Sequence, residues 1–106
     1  MRQTYNKLVR DRIPEIIRAS GRDCGLETMA EEEYQQALLE KLVEEAREAQ
    51  QAGREGLVTE LADLYEVIDA LIQVYDLDRK TVLRTQQTRH EERGGFTKRI
   101  RLLWTE

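Results

Sequence analysis

A chain of 106 residues with 40% apolar and 36% charged side chains is sized for one domain, residues 1–106, with a modest core. Leu, Glu, Arg, Ala and Gln dominate and the apolar residues fall in two long periodic runs, which excludes disorder and favours helix. The net charge of −4 conceals a segregation. Met1 to Arg22 carries six basic and two acidic residues, Asp23 to Asp78 three basic against sixteen acidic, and Arg79 to Arg101 eight basic and two acidic. An acidic middle suits a divalent cation and basic ends suit phosphates; equally, the ends neutralise the middle in the folded chain. Nucleic-acid binding is disfavoured, because its footprint is a net basic domain. The opening Met1-Arg2-Gln3-Thr4 leads into charged sequence without a secretory signal, so cytoplasmic residence is expected. Cys24 is alone, which rules out an internal disulfide and, beside one histidine, a zinc site.

In chain order, the first expected helix is short. It runs from Arg12 or Pro14 to Ala19, with Asp11 as N-cap, Pro14 in the first turn and Gly21 beyond the end. Arg22 to Thr28 reads as a loop. The second helix is expected over Glu31 to Ala52, stopped by Gly53. A short turn from Gly53 to Gly56 leads to the third, over Leu57 to Tyr75. Glu60, Asp63, Glu66 and Asp69 interrupt that stretch, so it is no membrane span. The fourth starts after Asp78, a good cap, and ends before Gly94-Gly95. Its apolar stripe is thin, essentially Val82 and Leu83. The tail from Phe96 to Trp104 is expected as a short strand, paired with Lys7-Leu8-Val9. Core packing is expected for Phe96 and Trp104, with stacking on a base as the other use.

The informative residues are carboxylates. Glu45 and Glu48, then Glu60 and Asp63, form two pairs three residues apart, which a helix places on neighbouring parts of one face. At about 100° per residue, Glu45 falls inside the apolar arc of its helix between Tyr34 and Leu38, and Glu60 between Val67 and Leu71. Glu48 and Asp63 each stand about 60° away at the arc's edge. Glu66 and Asp69, and with them Glu44, drift to the polar side. A carboxylate on a core-facing stripe is costly unless neutralised, paired or metal-bound. Lys41, on the same face as Glu45 and Glu48, satisfies one carboxylate but not four. Oxygen-only ligation selects Mg²⁺, with Mn²⁺ as a substitute. The alternative is an ordinary salt-bridged helix surface. A di-iron bundle fails, because the residue three before His90 is Gln87. Ser20 and Cys24 lack a nearby base, and no Walker-type or dinucleotide glycine motif exists.

These residues resemble the MazG-like, all-α nucleoside triphosphate pyrophosphohydrolase superfamily, marked by Glu-x-x-Glu and then Glu-x-x-Asp on adjacent helices. Here those are Glu45 to Glu48 and Glu60 to Asp63. The likeness extends to a small, single-domain branch of predicted house-cleaning pyrophosphatases through Tyr5 to Pro14, Lys41 to Ala46 and Glu92 to Ile100. The gap between the two halves is at the short end of the family pattern, which a tight turn accommodates. The resemblance implies an all-α, four-helix MazG-like bundle that cleaves a nucleoside triphosphate to monophosphate and pyrophosphate. It implies Mg²⁺ on Glu45, Glu48, Glu60 and Asp63, with Glu44 or Glu45 taking the proton of the attacking water. Basic residues from the ends would hold the phosphates: Lys7, Arg10 and Arg12, then Arg93, Lys98 and Arg99. The readings beside it are phosphoribosyl-ATP pyrophosphohydrolase, a relative using the same metal chemistry, and a non-catalytic helical dimerisation or regulatory module. A homodimer or homotetramer is expected, since the third and fourth helices expose more than one small domain can cover.

Overall fold

The computed structural model describes residues 2–106. Among the described residues the chain is all-α with four helices: α1 (Ile13–Ala19), α2 (Glu31–Gln51), α3 (Gly53–Val74) and α4 (Arg79–Arg93). No strand occurs among the described residues, so the expected pairing of Lys7-Leu8-Val9 with the tail is corrected. A turn closed by the Arg99 N–H donating to the Phe96 carbonyl at 3.0 Å, with Arg99 at φ 55°, breaks the extension a strand needs. No helix among the described residues is long and apolar enough to cross a membrane. The chain divides into two compact units, one ending at Tyr75 and one spanning Asp76–Glu106.

The first unit is built on the pairing of α2 with α3. α2 starts where the Glu33 carboxylate accepts the Ala30 N–H at 3.4 Å, satisfying a donor that the helix leaves open. It ends at Gln51, and α3 begins at Gly53, so the reversal takes a single intervening residue. The expected turn over Gly53 to Gly56 is instead the first turn of α3. Gly53 makes this possible with φ 67°, a left-handed conformation that costs glycine little. Gly56 lets the turn close: a Cβ there would sit 3.1 Å from that of Ala52. The result is an antiparallel helical hairpin. α1 also starts differently from expectation, with Arg12 rather than Asp11 at the N-cap and no side chain capping it. Pro14 in its first turn needs no N–H partner there.

The hairpin core is thin. Leu38 on α2 and Val67 on α3 are the buried hydrophobic residues, 4% and 7% exposed, and Glu45 is buried with them at 6%. At about 100° per residue, Lys41, Glu44 and Glu48 of α2 and Asp63 of α3 lie to one side of the line of contact. Leu39 and Val43 of α2 and Val58, Leu61 and Tyr65 of α3 lie to the other. In the second unit, Asp78 caps α4 by accepting the Lys80 N–H at 3.2 Å and the Thr81 hydroxyl at 3.0 Å, as the sequence predicts. Gly94 at φ 80° closes the helix. Every residue of this unit is exposed. Phe96, at 96%, and Trp104, at 73%, are therefore not core residues, because the thin stripe of α4 offers them nothing to pack on.

Candidate metal centre

The short reversal sets the level at which the hairpin's carboxylates meet. Oxygen atoms of Glu45, Glu60 and Asp63 lie within 4.8 Å of one another, and so do those of Glu44, Glu45 and Glu48. Glu45 belongs to both groups, because it is the carboxylate on the contact line itself. Glu45 Oε2 and Glu60 Oε2 are shut off from solvent and accept no hydrogen bond within the protein. Buried acceptors without a partner carry their full desolvation cost. Two of them beside Asp63 make a pocket of negative charge that a hard cation relieves. Carboxylate oxygens alone suit Mg²⁺ or Mn²⁺ and give a soft metal nothing to prefer.

Electrostatics agree with that geometry. Burial, then the charge of Glu48 nearby, pushes the Glu45 carboxyl up to about 7. The Glu60 carboxyl is raised too, mainly by desolvation, with the charges of Glu48 and Asp63 adding to it. Glu44 behaves oppositely. Desolvation pushes it up, but its hydrogen bond from Lys7 and the charge of Lys41 outweigh that, so it titrates below its ordinary range. Three carboxylates with different environments thus sit within one cluster.

Cations of the chain itself line the acidic side. Lys41 Nζ lies 3.4 Å from Glu44 Oε2 and 3.6 Å from Glu45 Oε1, one helical turn away. Lys7 Nζ donates to Glu44 Oε1 at 3.2 Å, and Arg10 Nη2 to Asp63 Oδ1 at 2.7 Å. The segment before α1 is therefore tied to both helices of the hairpin. A depression of about 460 Å³ lined by Glu40, Val43, Glu44, Arg47, Glu48 and Gln51 opens beside the cluster.

The sequence-predicted residues fall into three groups. Glu45, Glu60 and Asp63 are brought together, with Glu48 joined to them through Glu45. Lys7 and Arg10 reach the cluster, where they contact carboxylates. Arg12 pairs locally with Glu15 at 3.4 Å, away from the cluster's carboxylates. Arg93 ends α4, and Lys98 and Arg99 follow it in the second unit, all exposed. Glu44 lies on the polar side of α2 as expected, yet it is half-buried and doubly ion-paired rather than solvated. Its helical angle does point away from α3, and what covers it is a segment 37 residues earlier in the chain. No periodicity within α2 carries that information.

No family model matches the chain. A protein of Mycolicibacterium smegmatis, described only as uncharacterized, is 54% identical over 46 residues, which are 43% of this chain and 47% of that protein. The chain thus spans less than half the length of this relative. No solved structure matches.

Proposed function

We propose that this chain is a Mg²⁺-dependent nucleoside triphosphate pyrophosphohydrolase of MazG-like type, cleaving at the α-phosphate. The observation that carries the reading is the pair of buried, unpartnered oxygens, Glu45 Oε2 and Glu60 Oε2, in a cluster that also includes Asp63. A protein retaining only structural ion pairs has no use for acceptors left in that state.

Glu45, Glu48, Glu60 and Asp63 would hold the ion. When bound, it would neutralise phosphate charge, orient the scissile anhydride and lower the pKa of a water. The chain's own residues supply the rest. Glu44, kept ionised by Lys7 and Lys41, would take the proton of the attacking water. The water oxygen forms a bond to the α-phosphorus, the bond to the bridging oxygen breaks, and pyrophosphate leaves with that electron pair. Lys7 and Arg10 stand at the cluster's edge and exchange a carboxylate for a phosphate oxygen as the substrate arrives. A cytoplasmic, house-cleaning role on non-standard nucleotides follows from the resemblance.

The test is pyrophosphate release across standard and modified triphosphates, with Mg²⁺, with Mn²⁺ and with chelator. Glu45→Gln and Glu60→Gln are expected to lower the rate more than about 100-fold, beyond the 10–100-fold typical of a metal's outer partners. Release from phosphoribosyl-ATP alone would reassign the substrate and keep the chemistry. No release from any of these with either metal overturns the proposal.

A further inference from the structure

Residues 2–20, which comprise the segment before α1 and α1 itself, are joined to the hairpin by charge more than by packing. No side chain among them is buried, and Leu8, Ile13 and Ile17 are only half-buried. A cavity of about 110 Å³ lies between Asn6, Lys7 and Leu8 on one side and Ala37, Glu40 and Lys41 of α2 on the other. This stretch therefore does not rest closely on the helix it crosses. What reaches across is Lys7 to Glu44 at 3.2 Å and Arg10 to Asp63 at 2.7 Å, both pairs partly exposed. Beyond α1, Gly21 at φ 88° and residues 22–30, which form no helix, lead to α2. Such a link lets one end swing without disturbing the other. A helix of seven residues does not persist alone in water, so α1 depends on staying docked.

Both acceptors belong to the carboxylate groups already described, Asp63 with Glu45 and Glu60, and Glu44 with Glu45 and Glu48. Lys41, the third cation there, is part of α2 and cannot leave. Lys7 and Arg10 can, and the charge they carry together equals that of one Mg²⁺. We propose that residues 2–20 are a latch over the centre, closed on the carboxylates without an ion and opened by the divalent ion alone. An ion on Glu45, Glu60 and Asp63 takes up the negative charge that Arg10 answers and sets two positive charges beside its guanidinium. Lys7, on the neighbouring group, meets the same repulsion. The contacts that weaken are the ones that hold the segment, because little apolar surface replaces them. A triphosphate then offers fresh anionic oxygens, onto which the same two side chains close again. The ion thus enters first and leaves the entrance open, and the nucleotide follows and shuts it. The latch rests on the reading above only in that the cluster takes a divalent ion; no bond need break for it to move.

Hydrogen exchange followed by mass spectrometry tests it in the peptide spanning residues 13–21, where the Ile16, Ser20 and Gly21 amides donate to the Arg12, Ile16 and Arg18 carbonyls. Peptides from α2 and α3 report that the hairpin is intact, and Mg²⁺ binding is measured separately by calorimetry. At constant ionic strength, saturating Mg²⁺ is expected to speed exchange in residues 13–21 about three- to tenfold over chelator, the scale of two partly exposed ion pairs. Adding a triphosphate analogue with a methylene bridge between the α and β phosphorus atoms should slow it again. The Lys7→Gln, Arg10→Gln double variant should exchange fast in chelator already and respond no further to Mg²⁺. Mg²⁺ that binds while residues 13–21 exchange as slowly as in chelator overturns the latch and leaves the hydrolase reading standing; absence of Mg²⁺ binding removes both. A double variant as protected in chelator as the wild type also overturns it, since the segment would then be held by something other than charge.

Discussion

Replacing Glu45 by Gln removes a charge that the metal-free fold holds at a loss. The carboxyl titrates at about 7 in the folded chain against an ordinary 4.5, because burial and then Glu48 disfavour its ionised form. A group whose folded pKa is raised lends stability that is complete below the unfolded value and is lost as pH climbs through the folded one. For Glu45 the window is pH 4.5 to about 7, and the loss across it is about 3 kcal/mol at ~1.4 kcal/mol per pH unit. Gln keeps the shape and escapes that loss, but gives up the Lys41 contact at 3.6 Å. The net expectation at pH 8 with chelator is a gain of about 1–3 kcal/mol over the wild type. Below pH 4.5 the two proteins should converge. Urea melts at fixed protein concentration, followed by helicity, would show the gain as a midpoint higher by about 1 M. Adding Mg²⁺ should reverse the order, since an ion at 100 times its dissociation constant stabilises its binder by about 2.7 kcal/mol. A Gln variant no more stable than wild type at pH 8 without metal would refute the reasoning, because Glu45 would then be at ease in its site.

Arg10→Gln frees Asp63 from its 2.7 Å partner. Without nucleotide, Mn²⁺ affinity read by electron paramagnetic resonance should rise about two- to fivefold, the scale of a partly exposed ion pair, while triphosphate binding weakens. Unchanged Mn²⁺ affinity would mean that Arg10 and the ion do not compete. Gly53→Ala places a side chain at φ 67° with nothing within 4 Å of its Cβ, so only backbone strain is added. A loss of about 1–2 kcal/mol is expected in urea melts; no loss would show that the reversal relaxes to another conformation.

Much of the candidate site is readable from helical periodicity, because burial of a side chain on an isolated amphipathic helix depends on its angle alone. That is why Glu45 and Glu60 stand out: each interrupts an apolar arc, and both have an oxygen cut off from solvent without a partner. The same logic locates Asp78 and Gly94 as the bounds of α4, since caps act within a turn. The tail is the opposite case. Alternating residues from Phe96 to Trp104 resemble a strand, yet a strand exists only when another supplies its hydrogen bonds.

What sequence alone determined was therefore local: four helices, the Asp78 cap and Gly94 stop of α4, and which carboxylates point inward. The tertiary structure decided the one-residue reversal at Ala52, the distances that gather Glu45, Glu60 and Asp63, and the reach of Lys7 and Arg10 across 37 and 53 positions. Angle around a helix follows from residue count, whereas the height at which two helices meet follows from how closely their backbones turn. Here that closeness rests on Gly53 and Gly56, whose missing side chains let one rod fold back on the other.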